Sequence, residues 1–206
     1  GDGLSWATAM SWTNALATAA AEPCFVEIWL SGDVTLFANP DTLAFSKSMV
    51  IRGGFAGTET HPDERAAGAM STFDGQVANV VMTINNTAPV VLDGLRIFNG
   101  QRGIVKTGAG DLSILNCEIV GNHTSANGQN GIGLSLTGTA DAKLVVSNCV
   151  VSGNYGTAAN IGNGQGLYVA TFGSVVIEDT TFLTNGIAWT GKDFWNEGCN
   201  GQAGAA

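Results

Sequence analysis

Charge is what this chain most lacks. Of its 206 residues only 12 % are Asp, Glu, Lys or Arg, and 8 Lys and Arg against 17 Asp and Glu leave a net charge of −9. The basic footprint of a nucleic-acid binder is missing, so no nucleic-acid partner is expected. No apolar run approaches the eighteen or so residues that cross a bilayer as a helix, and membrane insertion is not expected either. Sparse charge excludes a coiled coil and a charged disordered tail, and the absence of a Gly-X-Y period excludes collagen. Proline is scarce, at 4. What the chain does have is 29 Gly and 45 % apolar residues, the make-up of a β-rich fold with many tight turns. Its length suits one domain with a substantial core. It opens on Gly1 without a basic or apolar leader, as expected of a processed protein or an excised domain.

The first stretch reads as a helix over about residues 7–21. Ser11 is a ready N-cap, and Trp12, Ala15, Leu16, Ala19 and Ala20 make one apolar stripe at helical spacing. Pro23 ends it. From Phe25 onward the chain consists of short β runs separated by Gly, Asn and Ser clusters.

Internal repetition is the strongest signal. Four segments, 90–97, 112–119, 144–151 and 175–182, share one pattern: an apolar-x-apolar strand, a small or polar corner, then a second short strand. They begin at offsets of 22, 32 and 31 residues, which fits a solenoid with constant strands and variable loops. In a parallel stack, equal positions lie about 4.8 Å apart, one above another. The pattern therefore predicts columns: Leu92, Ile114, Val146 and Ile177 in one, Ile97, Ile119, Val151 and Phe182 in another. Asn116 stands over Asn148, and Asn122, Asn154 and Asn185 form a second Asn row. Stacked amides satisfy one another, and Asn tolerates the left-handed backbone of a sharp corner.

Gly53-Gly54-Phe55-Ala56-Gly57-Thr58-Glu59-Thr60, followed by Asp63-Glu64-Arg65, resembles the "GGFxGTE…R" signature of bacterial right-handed parallel β-helix repeat surface proteins. The opening Asp2-Gly3-Leu4-Ser5-Trp6-Ala7, the Ala-rich helix and Val26-Glu27-Ile28-Trp29-Leu30 are similar to the N-terminal end of the same group, the polymorphic outer-membrane-protein and pectate-lyase-like superfamily. The resemblance implies an all-β, right-handed parallel β-helix with the helix capping one open end, coils over 25–185, and a tail or cap over 186–206. Fold likeness does not convey activity.

Four cysteines allow three pairings. Cys117 and Cys149 hold the same position in neighbouring repeats. Their spacing permits a disulfide, but parallel Cβ vectors disfavour it, so a bond and a stacked pair of thiols both stay open. Cys24 and Cys199 fall near opposite ends of the expected solenoid, where a bond between chains stacked end to end needs only a short reach. Ile187, Trp189, Phe194 and Trp195 form an aromatic tail, a lid over the last coil or a docking element. Cys24, Cys199, Trp12, Trp189, Phe194 and Trp195 are therefore the interface candidates.

Catalytic patterns are hard to find. Arg96, Arg102 and Lys106 lie near Asp93 and Asp111, which could offer Ca²⁺ a site, yet no spacing supports one. Position 93 becomes Leu115 and Ser147 in later repeats, and only Asp179 supplies a carboxylate in the Asn116 column. The Gly53–Thr60 run lacks the Lys-Ser/Thr of a phosphate loop, and His61 and His123 have no ligand-spaced neighbours. No catalytic residue, metal or cofactor is assigned. The expectation is a non-enzymatic, secreted or surface-exposed structural subunit of a fibre, layer or adhesin stalk that self-associates end to end. The alternative is a carbohydrate-active enzyme or glycan-binding module acting on an acidic polysaccharide.

Overall fold

The computed structural model describes residues 1–35, 41–44, 46–157, 162–186 and 194–197, with the backbone alone for 41–42 and 194–197. After a single 3-10 turn at Trp6–Thr8 comes α1 (Trp12–Ala21), the one α-helix among the described residues. Strands follow in sets. The first set is β1 (Val26–Ser31), β2 (Val34–Thr35) and β3 (Asp41–Leu43); the second is β4 (Met49–Phe55), β5 (Ser71–Asp74) and β6 (Val80–Ile84). The third is β7 (Val90–Asp93), β8 (Leu95–Phe98) and β9 (Arg102–Lys106). Next come β10 (Leu112–Leu115), β11 (Glu118–Val120), β12 (His123–Thr124) and β13 (Leu134–Thr137). Then β14 (Lys143–Ser147), β15 (Val150–Ser152), β16 (Tyr155–Gly156) and β17 (Leu167–Ala170) repeat that order. The last are β18 (Ser174–Glu178), β19 (Thr181–Leu183) and β20 (Phe194–Glu197).

The chain is all-β, and the pairings are parallel. One sheet runs β1-β4-β7-β10-β14-β18, a second β2-β5-β8-β11-β15-β19, a third β3-β6-β9-β13-β17-β20, and β12 pairs with β16. Each set thus visits the three sheets in the same sequence. Register follows the repeat: Leu92, Ile114, Val146 and Ile177 are paired neighbours, as are Ile97, Ile119, Val151 and Phe182. Successive residues of a strand point to opposite faces, so these columns supply the core. Leu92, Ile97, Ile114, Ile119, Val146 and Val151 are fully buried, while Ile177 and Phe182 in the last set are only partly so.

The helix is shorter than the 7–21 expected. Ser11 sits in extended backbone and caps α1, its Oγ accepting from the Asn14 N–H at 3.4 Å, and this extended residue separates α1 from the 3-10 turn. Trp12 and Ala19 are buried and Ala15 and Leu16 partly so, whereas Ala20 of the expected stripe is exposed. The Trp12 ring meets Phe73 edge-on at 5.0 Å, and Lys47 Nζ donates to the Ala19 carbonyl at 2.6 Å.

Lys106 is the exception in the core. It occupies the inward column of Ile84 and Leu136, is 1 % exposed, donates to the Gly108 carbonyl and lies 5.0 Å from the Phe172 ring centroid. Burial pushes its amine down to about 8 from the usual 10.5, against a weaker pull from Asp111. Between these values the unfolded chain binds a proton that the folded chain lacks, so this group makes stability rise with pH across that window. Lys106→Met should raise stability at pH 7 by on the order of 3 kcal/mol and flatten the rise. Denaturant melts of both proteins from pH 7 to 10.5 check this; parallel stability curves would contradict it.

Candidate functional site

Two columns of Asn mark corners of the chain, one between the first and second sheets and one where the chain leaves the second sheet. Gly94, Asn116, Asn148 and Asp179 occupy equivalent positions, with φ of 66°, 53°, 52° and 47°. This is left-handed backbone, which Gly adopts freely and Asn and Asp most readily among other residues. Asn148 Nδ2 donates to Asn116 Oδ1 at 2.8 Å, and Asn116 Nδ2 donates to Asp93 Oδ1 at 2.7 Å. Asp93 also pairs with Arg52 at 2.7 Å and with Arg65 at 3.0 Å, and Arg52 reaches on to Glu27 at 2.8 Å. Burial alone would raise the Asp93 pKa, but Asn116 and the two guanidiniums outweigh it and hold the carboxyl below its usual value. Asp93 is therefore a buried junction holding four segments together.

The second Asn row has a different origin from the one expected. Asn122, Asn154 and Asn185 are buried, but the left-handed φ belongs to the residues before them, Gly121, Gly153 and Thr184. That turn swings the following side chain inward, where its amide must find partners. Gly100 N–H donates to Asn122 Oδ1 at 2.9 Å. Asn122 gives both its backbone N–H, at 3.1 Å, and Nδ2, at 2.9 Å, to Asn154 Oδ1. Asn154 does the same to Asn185 Oδ1 at 3.1 and 2.9 Å.

The thiols occupy a third column, with Leu95 on one side and Thr180 on the other. Leu95 N–H donates to Cys117 Sγ at 3.4 Å, Cys117 N–H to Cys149 Sγ at 3.4 Å, and Cys149 N–H to Thr180 Oγ1 at 3.3 Å. Of the two alternatives, the structure has free thiols at both positions, and Cys24 is also free. Burial pushes the Cys117 thiol well above its ordinary pKa.

The Gly-rich motif is a braced turn. The Glu59 carboxylate accepts from the backbone N–H groups of Ala56, Gly57 and Thr58 at 2.7 to 2.9 Å, and these bonds, Ala56 foremost, lower its pKa. Glu64 caps the Thr60 and His61 N–H groups in the same way. Trp6 Nε1 donates to the Glu59 carbonyl at 2.8 Å, and its ring packs with Phe55 and Trp29, which stack at 4.7 Å. His61 takes part in this turn, its Nδ1 accepting from the Asp63 N–H.

The 62–70 arm that follows walls a groove of about 520 Å³ whose opposite side carries Asn116, Cys117, Glu118, Asn148 and Val150. The basic residues that neighbour one another in sequence disperse. Arg96 pairs with Glu118 at 3.5 Å, Arg102 donates to the Asn130 carbonyl at 2.9 Å with its Nε buried and unpartnered, and Lys106 turns inward. Asp111 accepts the Lys143 N–H at 2.8 Å. Among the described residues no three His, Cys, Asp or Glu side chains gather as a metal cluster. Of the interface candidates, Trp12 is buried in α1, Cys24 is exposed, and Phe194 and Trp195 pair through their backbone with Leu167 and Tyr168. Trp189, Cys199 and Ile187 lie outside the described residues. Sequence reasoning missed the Arg52–Asp93–Arg65 junction and the His123–Tyr155 ring stack at 5.4 Å; the latter was readable as equal positions of β12 and β16. Compared with family models, curated proteins and solved structures, the chain matches none.

Two substitutions test these columns. Asn154→Ala orphans the buried Asn122 N–H and removes the Asn154 Nδ2 bonds to the Ile119 carbonyl, at 2.8 Å, and to Asn185 Oδ1; it should cost about 3 kcal/mol in denaturant melts. A loss below about 0.5 kcal/mol would show the row to be dispensable. Asp93→Asn should cost about 2 kcal/mol at pH 7, discounted for the partly exposed Arg52 and Arg65. The Asp93 contribution is complete above the unfolded carboxylate pKa and is lost as pH falls through the lower folded value. The gap between wild type and variant should therefore close in acid; an undiminished gap at pH 2 (about two units below the unfolded value) would refute the pairing.

Proposed function

We propose that the three parallel sheets are the faces of a right-handed parallel β-helix, and that the chain is a non-enzymatic building block of an extracellular or cell-surface assembly. The rotation of the strands among three sheets supports the winding. Its hand follows from the rule that crossovers between parallel strands of one sheet are right-handed in nearly all cases. The resemblance of the 53–65 and N-terminal motifs points to the same bacterial β-helix surface group.

The observation that carries the structural role is where the polar side chains are used. Asn116, Asn148, Asn122, Asn154 and Asp93 all serve repeat-to-repeat bonds, the chemistry of a stiff rod. Subunits associate end to end in this reading. Because α1 packs over Phe73 near the β1–β3 end, that contact runs through the helix face and the adjoining Cys24 rather than strand to strand. Cys199 of the next chain is the proposed cross-linking partner of Cys24.

Negative-stain microscopy of concentrated protein, with non-reducing gels of the same material, tests this reading. Rods made of end-joined particles and a reducible ladder of multimers are expected. Dispersed monomers with alkylatable Cys24 and Cys199, or depolymerisation of a uronic-acid polymer, would overturn it.

A further inference from the structure

We propose that Cys117 and Cys149 form a two-coordinate thiolate site for a soft monovalent cation, Cu(I) in nature and Ag(I) as its probe. The two residues are stacked between in-register neighbours, Leu115 with Ser147 and Glu118 with Val150. Equal positions on adjacent parallel strands are about 4.8 Å apart and send their Cβ atoms the same way. A disulfide needs the sulfurs to close to about 2.05 Å with Cβ vectors that converge. Two metal–thiolate bonds in line, each of about the 2.3 Å of a zinc–thiolate bond, span about 4.6 Å, close to the strand spacing. The stacking that disfavours the covalent bond thus suits a linear S–metal–S bridge.

The surroundings fit the same ligand. Thiolates select soft cations, whereas zinc takes four ligands and calcium wants oxygens. The Leu95 and Cys117 N–H groups already point at the two sulfurs, at 3.4 Å each, and remain to stabilise thiolates once the protons leave. Those protons now face the Leu115 and Ser147 carbonyls, at 3.1 and 3.2 Å. Cys117, though buried, is among the residues that line the groove beside the 62–70 arm, so solvent lies close to the pair. In the binding step two S–H bonds break and two S–metal bonds form, two protons pass to solvent, and no atom changes oxidation state. The bound unit carries one negative charge, held by the two N–H donors.

The test uses the full chain with Cys24→Ser and Cys199→Ser, which leaves only the buried pair. Titration with silver nitrate in chloride-free buffer should load one Ag(I) per chain by native mass spectrometry and release two protons. Adding Cys149→Ser should weaken binding by roughly a hundredfold or more. Thr180 already places a hydroxyl in this column, so the serine variant is expected to fold, and its far-UV circular dichroism checks that; Cys117→Ser serves as the second variant. Failure to retain silver, unchanged affinity in both single-thiol variants, or a mass lower by two hydrogens from a Cys117–Cys149 bond would each overturn the proposal.

Discussion

The rest of this structure depends on parallel strands pairing in register from one repeat to the next. When a chain lays each strand beside the equivalent strand of the previous repeat, the side chains of the repeated inward and corner positions acquire a copy of their own chemical type as neighbour. For Leu92, Ile114 and Val146 that neighbour is another apolar group, and burial follows. For Asn the neighbour is an amide, which donates and accepts at once and can extend a chain of hydrogen bonds indefinitely. Charge cannot be treated this way, since like charges would stand about 4.8 Å apart. Where charges do meet in register they are of opposite sign, as with Arg52 beside Asp93 and Arg96 beside Glu118.

The places where a charge does enter a column show how that constraint is met. Asp93 stands one residue before the Gly94 corner, in the column of Leu115, and is answered by two arginines brought from β4 and from the 62–70 arm. Lys106 enters an aliphatic column, with a carbonyl and an aromatic face as its partners. Neither side chain recurs at the next repeat, where Leu115 and Leu136 take the positions. The motif at 53–65 serves the same economy: Glu59 and Glu64 spend their charges on backbone N–H groups of one turn, and Arg65 spends its own on Asp93.

The thiol column belongs to the same logic. Sulfur in Cys117 and Cys149 fills space as a small apolar group would, yet it accepts the N–H that the corner would otherwise leave unsatisfied. Thr180 performs that task with oxygen in the next repeat, where burial is less complete.

Much of this was legible because columns are a one-dimensional code. Repeated apolar positions read directly as strand faces, the Gly94, Asn116, Asn148 and Asp179 series as corners, and Ser11 with Pro23 as helix limits. Other features depend on which face a turn presents, and local sequence does not say. The buried Asn row owes its position to left-handed turns at Gly121, Gly153 and Thr184, one residue earlier than expected. By itself, then, the sequence determined strand periodicity, repeat spacing and the absence of like-charge columns, since these follow from nearest-neighbour chemistry. Tertiary structure alone decided that Arg52 and Arg65 converge on Asp93 across 41 and 28 residues, that Lys106 points inward, and that the paired sulfurs stay thiols. Each of these is set by where distant segments meet in space, and no local pattern encodes it.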